Sequence, residues 1–229
     1  LAKFFGNVAK WAILVFGIMA SLEVLNVQTT GLAAVIAGAS LAIGLAFQGS
    51  LGNIAAGIML LIFRPFRVGD VVKVADVTGK VDEIELFTTT LDTFDNRRFI
   101  IPNGEIFGNV IENITFHPTR RVDVPVGVDY SANIDATREA LVAATGNVPL
   151  AIKDPAPIVF LDSFGDSSVN WVVRIWTNTP DFWNCKQELV RAIKMSLDEA
   201  GIGIPFPQRD VNFSGPLEIV TRKGEEERR

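Results

Sequence analysis

The chain has 229 residues, enough for more than one folded unit, with 48% hydrophobic residues and a formal charge of −5. A mean hydropathy of +0.31 is high for a soluble protein, and the acidic balance argues against nucleic acid as a partner. The single cysteine, Cys185, excludes an intrachain disulfide and fits a reducing compartment.

The charges are unevenly spread. The first 63 residues hold only Lys3, Lys10 and Glu23, and every other charge follows. An apolar N-terminal block is therefore fused to an ordinary, mildly acidic one. The chain starts with Leu1 rather than Met, and its first residues already read as the flank of a helix. We expect earlier membrane segments to precede it. No signal-peptide pattern with a small-residue cleavage site occurs.

The first apolar segment spans about 11–25, flanked by Lys10 and with Trp11 suited to an interface. A polar break at 26–30 follows. The second segment, 29–47, is uncharged and at helical rise spans roughly 28 Å, enough to cross a bilayer core. Residues 49–63 form a third helical candidate of roughly 22 Å, too short to cross well alone, which we expect along the interface. Between them "GLAFQGSLGN" carries glycines and polar groups inside an uncharged run, which weakens a helix, so a break is expected at Gln48-Gly49. Arg64 and Arg67 end the block and mark a membrane–cytoplasm junction, with everything after Arg64 cytoplasmic.

After Arg67 the period changes. Short alternating apolar runs punctuated at Thr78-Gly79, Asp95-Asn96 and Pro102-Asn103-Gly104 read as several antiparallel strands in a small sheet or barrel. From about Arg121 the pattern is mixed. "RVDVPVGVDY" reads as a strand, 133–145 as a helix with Ile134, Leu141 and Ala144 on one face, and "APIVFLDSFG" and "SVNWVVRIWTN" as strands. Residues 182–200 read as a helix carrying Leu189, Ile193 and Leu197 and stopped by Gly201. The order β-α-β-β-α-β, closing with an extended 209–221, implies a split βαβ, ferredoxin-like layer. The charged residues 224–229 read as a disordered tail.

Catalytic signatures are missing. His117 is the only histidine and precedes Pro118, so a loop role is expected. No glycine-loop phosphate cradle occurs. Ser163 and Ser167 sit in "DSFGDSS" and read as turn residues. The Asn113 and Asn212 sequons fall in the part read as cytoplasmic, which argues against glycosylation. No enzyme activity, metal or cofactor is expected.

On a helix, Ala34, Gly38 and Ala42 form one small-residue ridge, and Ala37, Ser40 and Gly44 a neighbouring one. Such ridges let helices approach closely in lipid. Leu41 and Leu45 lie between them at spacing four, one turn apart. Two readings stand side by side. One is a tightly packed helix pair with both leucines facing lipid. The other is a ring of copies, small face against small face, whose leucines project inward as stacked apolar rings that block ions by dewetting. In the ring, Gln48-Gly49 would be a hinge, and Gln48 and Asn53 would meet water or protein.

The stretch "GLAFQGSLGNIAAGIMLLIFRPFRVGD", with "IPNG", "VVRIWTN" and "FPQRDVNF" following in order, resembles the small-conductance mechanosensitive channel family. The likeness runs from the second apolar segment to about Phe213. It implies a membrane protein whose α-helical transmembrane region is followed by a small all-β, Sm-like domain, an α/β ferredoxin-like domain and a C-terminal strand. The expected domains are 1–65 (transmembrane, with pore-lining and interfacial helices), 66–117 (β domain), 118–210 (α/β domain) and 211–229 (strand and tail). The resemblance also implies a homoheptamer in the bacterial inner membrane, with membrane lipids, permeant ions and small solutes as partners. The family's constricting leucines fall on Leu41 and Leu45, its kink glycine on Gly49, and a second glycine important for closing on Gly57. Its alternating packing surfaces fall on Ala34, Gly38 and Ala42, and on Ala37, Ser40 and Gly44. Ser40 replaces a family glycine and Gly38 a family alanine, so packing stays close while gating ease can differ. The family carries at least one further N-terminal membrane helix, expected before Leu1.

The expected function is a tension-opened channel that releases ions and small osmolytes on hypo-osmotic shock. A membrane-anchored scaffold would explain the two-block composition but not the small ridges and the Gln-Gly break. A transporter with a broken helix would need internal repeats and midplane ligand groups, neither of which is found.

Overall fold

The computed structural model describes residues 2–25, 27–212 and 214–215. The chain forms two compact units, one up to Phe116 and one from His117.

The first unit begins with α1 (Ala2–Val24) and α2 (Thr30–Phe63). Both are long and apolar enough to cross a membrane. α1 starts nine residues earlier than the apolar run, because Lys3, Asn7 and Lys10 are compatible with helix even though they interrupt the hydrophobic signal. The expected break at Gln48-Gly49 is not present. α2 runs as one helix of 34 residues, roughly 51 Å at standard rise. Its glycines lower helix propensity but do not forbid helix, no proline intervenes before Pro65, and alanines and leucines surround them. The residues expected as a separate interfacial helix are thus the lower part of α2. The helix stops where Arg64 turns left-handed (φ 48°) ahead of Pro65, its N–H bonded to the Leu60 carbonyl.

Below α2 lies a five-stranded antiparallel sheet built from β1 (Val71–Val74), β2 (Val77–Ile84), β3 (Thr88–Asp92), β4 (Arg98–Pro102) and β5 (Glu112–Asn113). The strand order is β4-β3-β2-β1-β5. A short helix, α3 (Asn103–Phe107), follows β4. The β1–β2 turn falls at Ala75-Asp76, both with positive φ, and not at Thr78-Gly79, which lie inside β2. Gly79 has a different reason to be glycine: a Cβ there would stand 2.9 Å from the Asp92 carbonyl oxygen of β3. Asp95-Asn96 does turn the chain, with Asn96 at φ 64°. The core of this unit is Leu60, Phe66, Val72, Val74, Val81, Leu91, Ile101 and Ile106.

The second unit comprises β6 (Thr119–Val128), α4 (Ile134–Gly146), β7 (Ile158–Phe164), β8 (Val169–Asn178) and α5 (Phe182–Glu199). β8 pairs antiparallel with both neighbours in the order β6-β8-β7, the split arrangement the element order implied. Alternate residues of β6 and β8, including Val122, Val124, Trp171, Val173 and Ile175, bury against Leu141, Ala144, Leu189, Ile193 and Leu197 of the helices. Ile134 does not join that face. It is 45% exposed, because it opens α4 directly after the Asn133 cap. Gly201 ends α5 with φ 67°. Residues 202–212 form no strand. The expected C-terminal strand and tail fall largely on 213 and 216–229, outside the described residues.

Candidate functional site

α2 has two halves with opposite surroundings. In the upper half, from Thr30 to Ser50, every residue but Ile36 is exposed. Leu41 and Leu45 are 65% and 62% exposed, separated by one helical turn. Beside them, a Cβ placed on Gly38, Gly44, Gly49 or Gly52 would meet nothing within 4 Å. The ridges formed by Ala34, Gly38 and Ala42 and by Ala37, Ser40 and Gly44 are therefore exposed in this chain. Ser40 satisfies its hydroxyl internally by donating to the Ile36 carbonyl at 2.8 Å, so it presents a small surface without an unpaired donor.

The lower half is anchored. Ala56, Gly57 and Leu60 are buried. Gly57 lies so close to the β2–β3 turn that a Cβ would stand 2.5 Å from the Leu86 carbonyl oxygen and 2.5 Å from Asn103 Nδ2. One turn above, Asn53 Oδ1 accepts the Gly104 N–H at 2.8 Å, satisfying a free donor in the first turn of α3. Asn103 is fully buried and completes the seat. Its Nδ2 donates to the Glu85 and Leu86 carbonyls at 2.9 and 3.1 Å, its Oδ1 accepts from Thr89 Oγ1 at 2.7 Å, and its N–H donates to the Phe87 carbonyl at 2.9 Å. Every polar atom of that side chain is used, which is what burial of an amide requires.

"RPFRVGD" holds the helix end in place. Phe66 is 2% exposed in the β core. Gly69 adopts φ 99° and donates its N–H to the Val81 carbonyl. Asp70 Oδ2 accepts from the Arg67 N–H and from Asn113 Nδ2, each at 2.9 Å, and Asn113 Nδ2 also reaches the Pro65 carbonyl at 3.2 Å. Asn113 is thus a structural residue. Arg64 and Arg67 are exposed, and neither forms an ion pair among the described residues.

The family resemblance assigns Gly57 a part in closing and leaves its neighbours here unnamed. Leu86, Asn103 and Gly104 are distant in sequence; "IPNG" covers Asn103 and Gly104 and reads only as punctuation and as part of the resemblance, and nothing points to Leu86. Elsewhere the chemistry is structural. Ser163 Oγ donates to Asp162 Oδ2 at 3.1 Å, and Ser167 Oγ accepts the Gln208 N–H at 3.0 Å. Burial pushes the Cys185 thiol up, away from a reactive thiolate. No cluster of metal-ligating side chains occurs among the described residues.

Comparison with known proteins bears on both units. Residues 49–116 match the family model for the mechanosensitive ion channel β domain, and residues 122–204 the model for the mechanosensitive ion channel MscS C-terminal region. An MscS family protein of Synechocystis is 44% identical over 214 residues, covering 93% of this chain and 72% of the relative. The small-conductance mechanosensitive channel of Edwardsiella ictaluri is 44% identical over 213 residues, covering 93% and 74%. Among solved structures, the closed-state crystal structure of Helicobacter pylori MscS superposes with a TM-score of 0.88 at 30% identity, covering 94% of this chain and 86% of that one.

Proposed function

The chain belongs to the MscS family of mechanosensitive ion channels, and from that premise we propose that several copies ring their α2 helices into a pore opened by membrane tension. The observation that carries this reading is the unoccupied upper half of α2. The glycines in those ridges cost helix propensity, and in a single chain the small-residue faces stay exposed. A ring of seven copies gives those faces their partners and turns Leu41 and Leu45 inward as two stacked apolar constrictions.

Tension acts by favouring the state of larger in-plane area, so it shifts the equilibrium only as far as the two states differ in that area. In the closed state the leucine rings exclude water. In the open state the helices slide over one another on their small faces, and the pore wets. Gln48 and Gly49 supply flexibility between the ridges above and the seat below. α1 faces lipid and carries the force. The chain beyond Arg64 is cytoplasmic, on the inner side of the bacterial inner membrane, where ions and small osmolytes released by hypo-osmotic shock pass through. No catalytic step is involved.

The test is survival. Expressed in cells lacking their own tension-gated channels, the protein should raise survival of a sudden osmotic downshift. Survival equal to that of the empty-vector control contradicts the proposal.

A further inference from the structure

We propose that Arg64 and Arg67 frame a binding site for the phosphate of an anionic phospholipid headgroup. This rests on the reading above that α2 enters a membrane with Arg64 at its inner end. The first unit has a cavity of about 260 Å³ where α2 meets the sheet, lined by Arg64, Arg67, Asp70, Asn113, Thr115 and Phe116. It opens one residue beyond the last turn of α2, where Ile62 and Phe63 are 66% and 67% exposed. Apolar side chains thus end and guanidinium groups begin at one level, the level at which acyl chains end and phosphates begin.

The two cations are available. Arg64 is pinned by its left-handed cap and by Nε donating to the Leu61 carbonyl at 3.2 Å, which leaves its terminal nitrogens uncommitted among the described residues. Arg67 is held through its backbone N–H on Asp70, and its guanidinium makes no ion pair there. The acidic residue in the cavity is already engaged, since Asp70 Oδ2 receives two N–H donors. Its one carboxylate faces two guanidinium groups, so the cavity keeps an excess of positive charge. Planar guanidinium groups bind phosphate oxygens in pairs. A zwitterionic headgroup carries its own cation into the same space and is repelled, so phosphatidylglycerol is preferred over phosphatidylcholine.

The full chain in detergent should retain phosphatidylglycerol about thirtyfold over phosphatidylcholine in native mass spectrometry, a preference of the size two surface arginines supply. Arg64→Gln with Arg67→Gln should abolish the preference, and Arg64→Lys with Arg67→Lys, which keeps the charge but not the paired hydrogen bonds, should retain only part of it. In the unmodified chain, raising salt should reduce the preference. That arm decides the matter if the double glutamine variant does not fold. Equal retention of the two lipids, a preference indifferent to salt, or a preference that survives in the folded glutamine variant overturns the proposal. Displacement of the lipid by millimolar inorganic phosphate also overturns it, assigning the site to a soluble anion. Flotation with pure phosphatidylcholine vesicles separates the two readings. A chain that floats but shows no headgroup preference refutes this site and leaves the membrane reading intact. A chain that does not float refutes both.

Discussion

Asn53 on α2 accepts the backbone N–H of Gly104, 51 residues further along the chain, at 2.8 Å. This bond ties a membrane-type helix to the first turn of a helix in the β domain. One turn below it, Gly57 presses on Leu86 and Asn103. The pore helix we propose therefore stands on a defined polar seat, with an exposed helix above it.

Gly57→Ala adds a methyl group where the Leu86 carbonyl already lies 2.5 Å away. Backbone cannot yield as a flexible side chain would, so the gain in helix propensity is outweighed and stability falls by about 1–3 kcal/mol. Thermal unfolding of the first unit measures this, and an unchanged midpoint contradicts the close approach.

Gly49→Ala makes the opposite case. Nothing lies within 4 Å of its added methyl, so the helix gains about 1 kcal/mol in the single chain. The fold should be unharmed while the channel's open-state lifetime and recovery change through a stiffer helix. Single-channel records that match the unmodified protein remove Gly49 from gating.

Asn103→Ala leaves Thr89 Oγ1 without its buried acceptor and frees the Glu85 and Leu86 carbonyls. The loss should be about 2–4 kcal/mol, with faster hydrogen exchange at Thr89 and Gly104. Asn53→Ala should speed exchange at Gly104 with a loss of only about 1 kcal/mol, because a single part-buried donor is involved. Equal effects of the two variants would mean that Asn103 is not the centre of the seat.

Asp92 is held below the usual carboxylate range, chiefly by its hydrogen bond from Arg98, which also pairs with Asp82. A depressed carboxyl stabilises the fold above its unfolded value and loses that contribution as pH falls through its folded value. The stability difference between the protein and Arg98→Gln should therefore be constant from pH 7 to 5 and shrink below about pH 4. A difference that already shrinks at pH 6 assigns the effect to another group.

Much of the fold was readable because it rests on short-range periodicity. Leu189, Ile193 and Leu197 predict their own burial, and alternate residues of "SVNWVVRIWTN" predict the face of β8 that is covered. The failures share a cause. Gln48-Gly49 and Thr78-Gly79 carry local break signals, yet α2 continues because neighbouring residues favour helix and its lower end is packed, and Gly79 is small because β3 lies against it. Ala75-Asp76 makes a positive-φ turn without the glycine or asparagine that usually marks one. The spacing of Leu41 and Leu45 and the small ridges are readable as relations within one helix. The seat was not, since Asn53, Gly57, Leu86 and Asn103 meet only through the tertiary fold.

Patch-clamp recording of the protein in liposomes under ramped suction, alongside Leu45→Ser, tests the leucine gate itself. A hydrophobic gate predicts pressure-dependent unitary steps in the unmodified protein. It predicts current without applied tension in the variant, because a serine ring no longer excludes water. A membrane silent up to lytic tension, or a Leu45→Ser variant that stays closed at rest and opens at the unmodified threshold, would contradict the account.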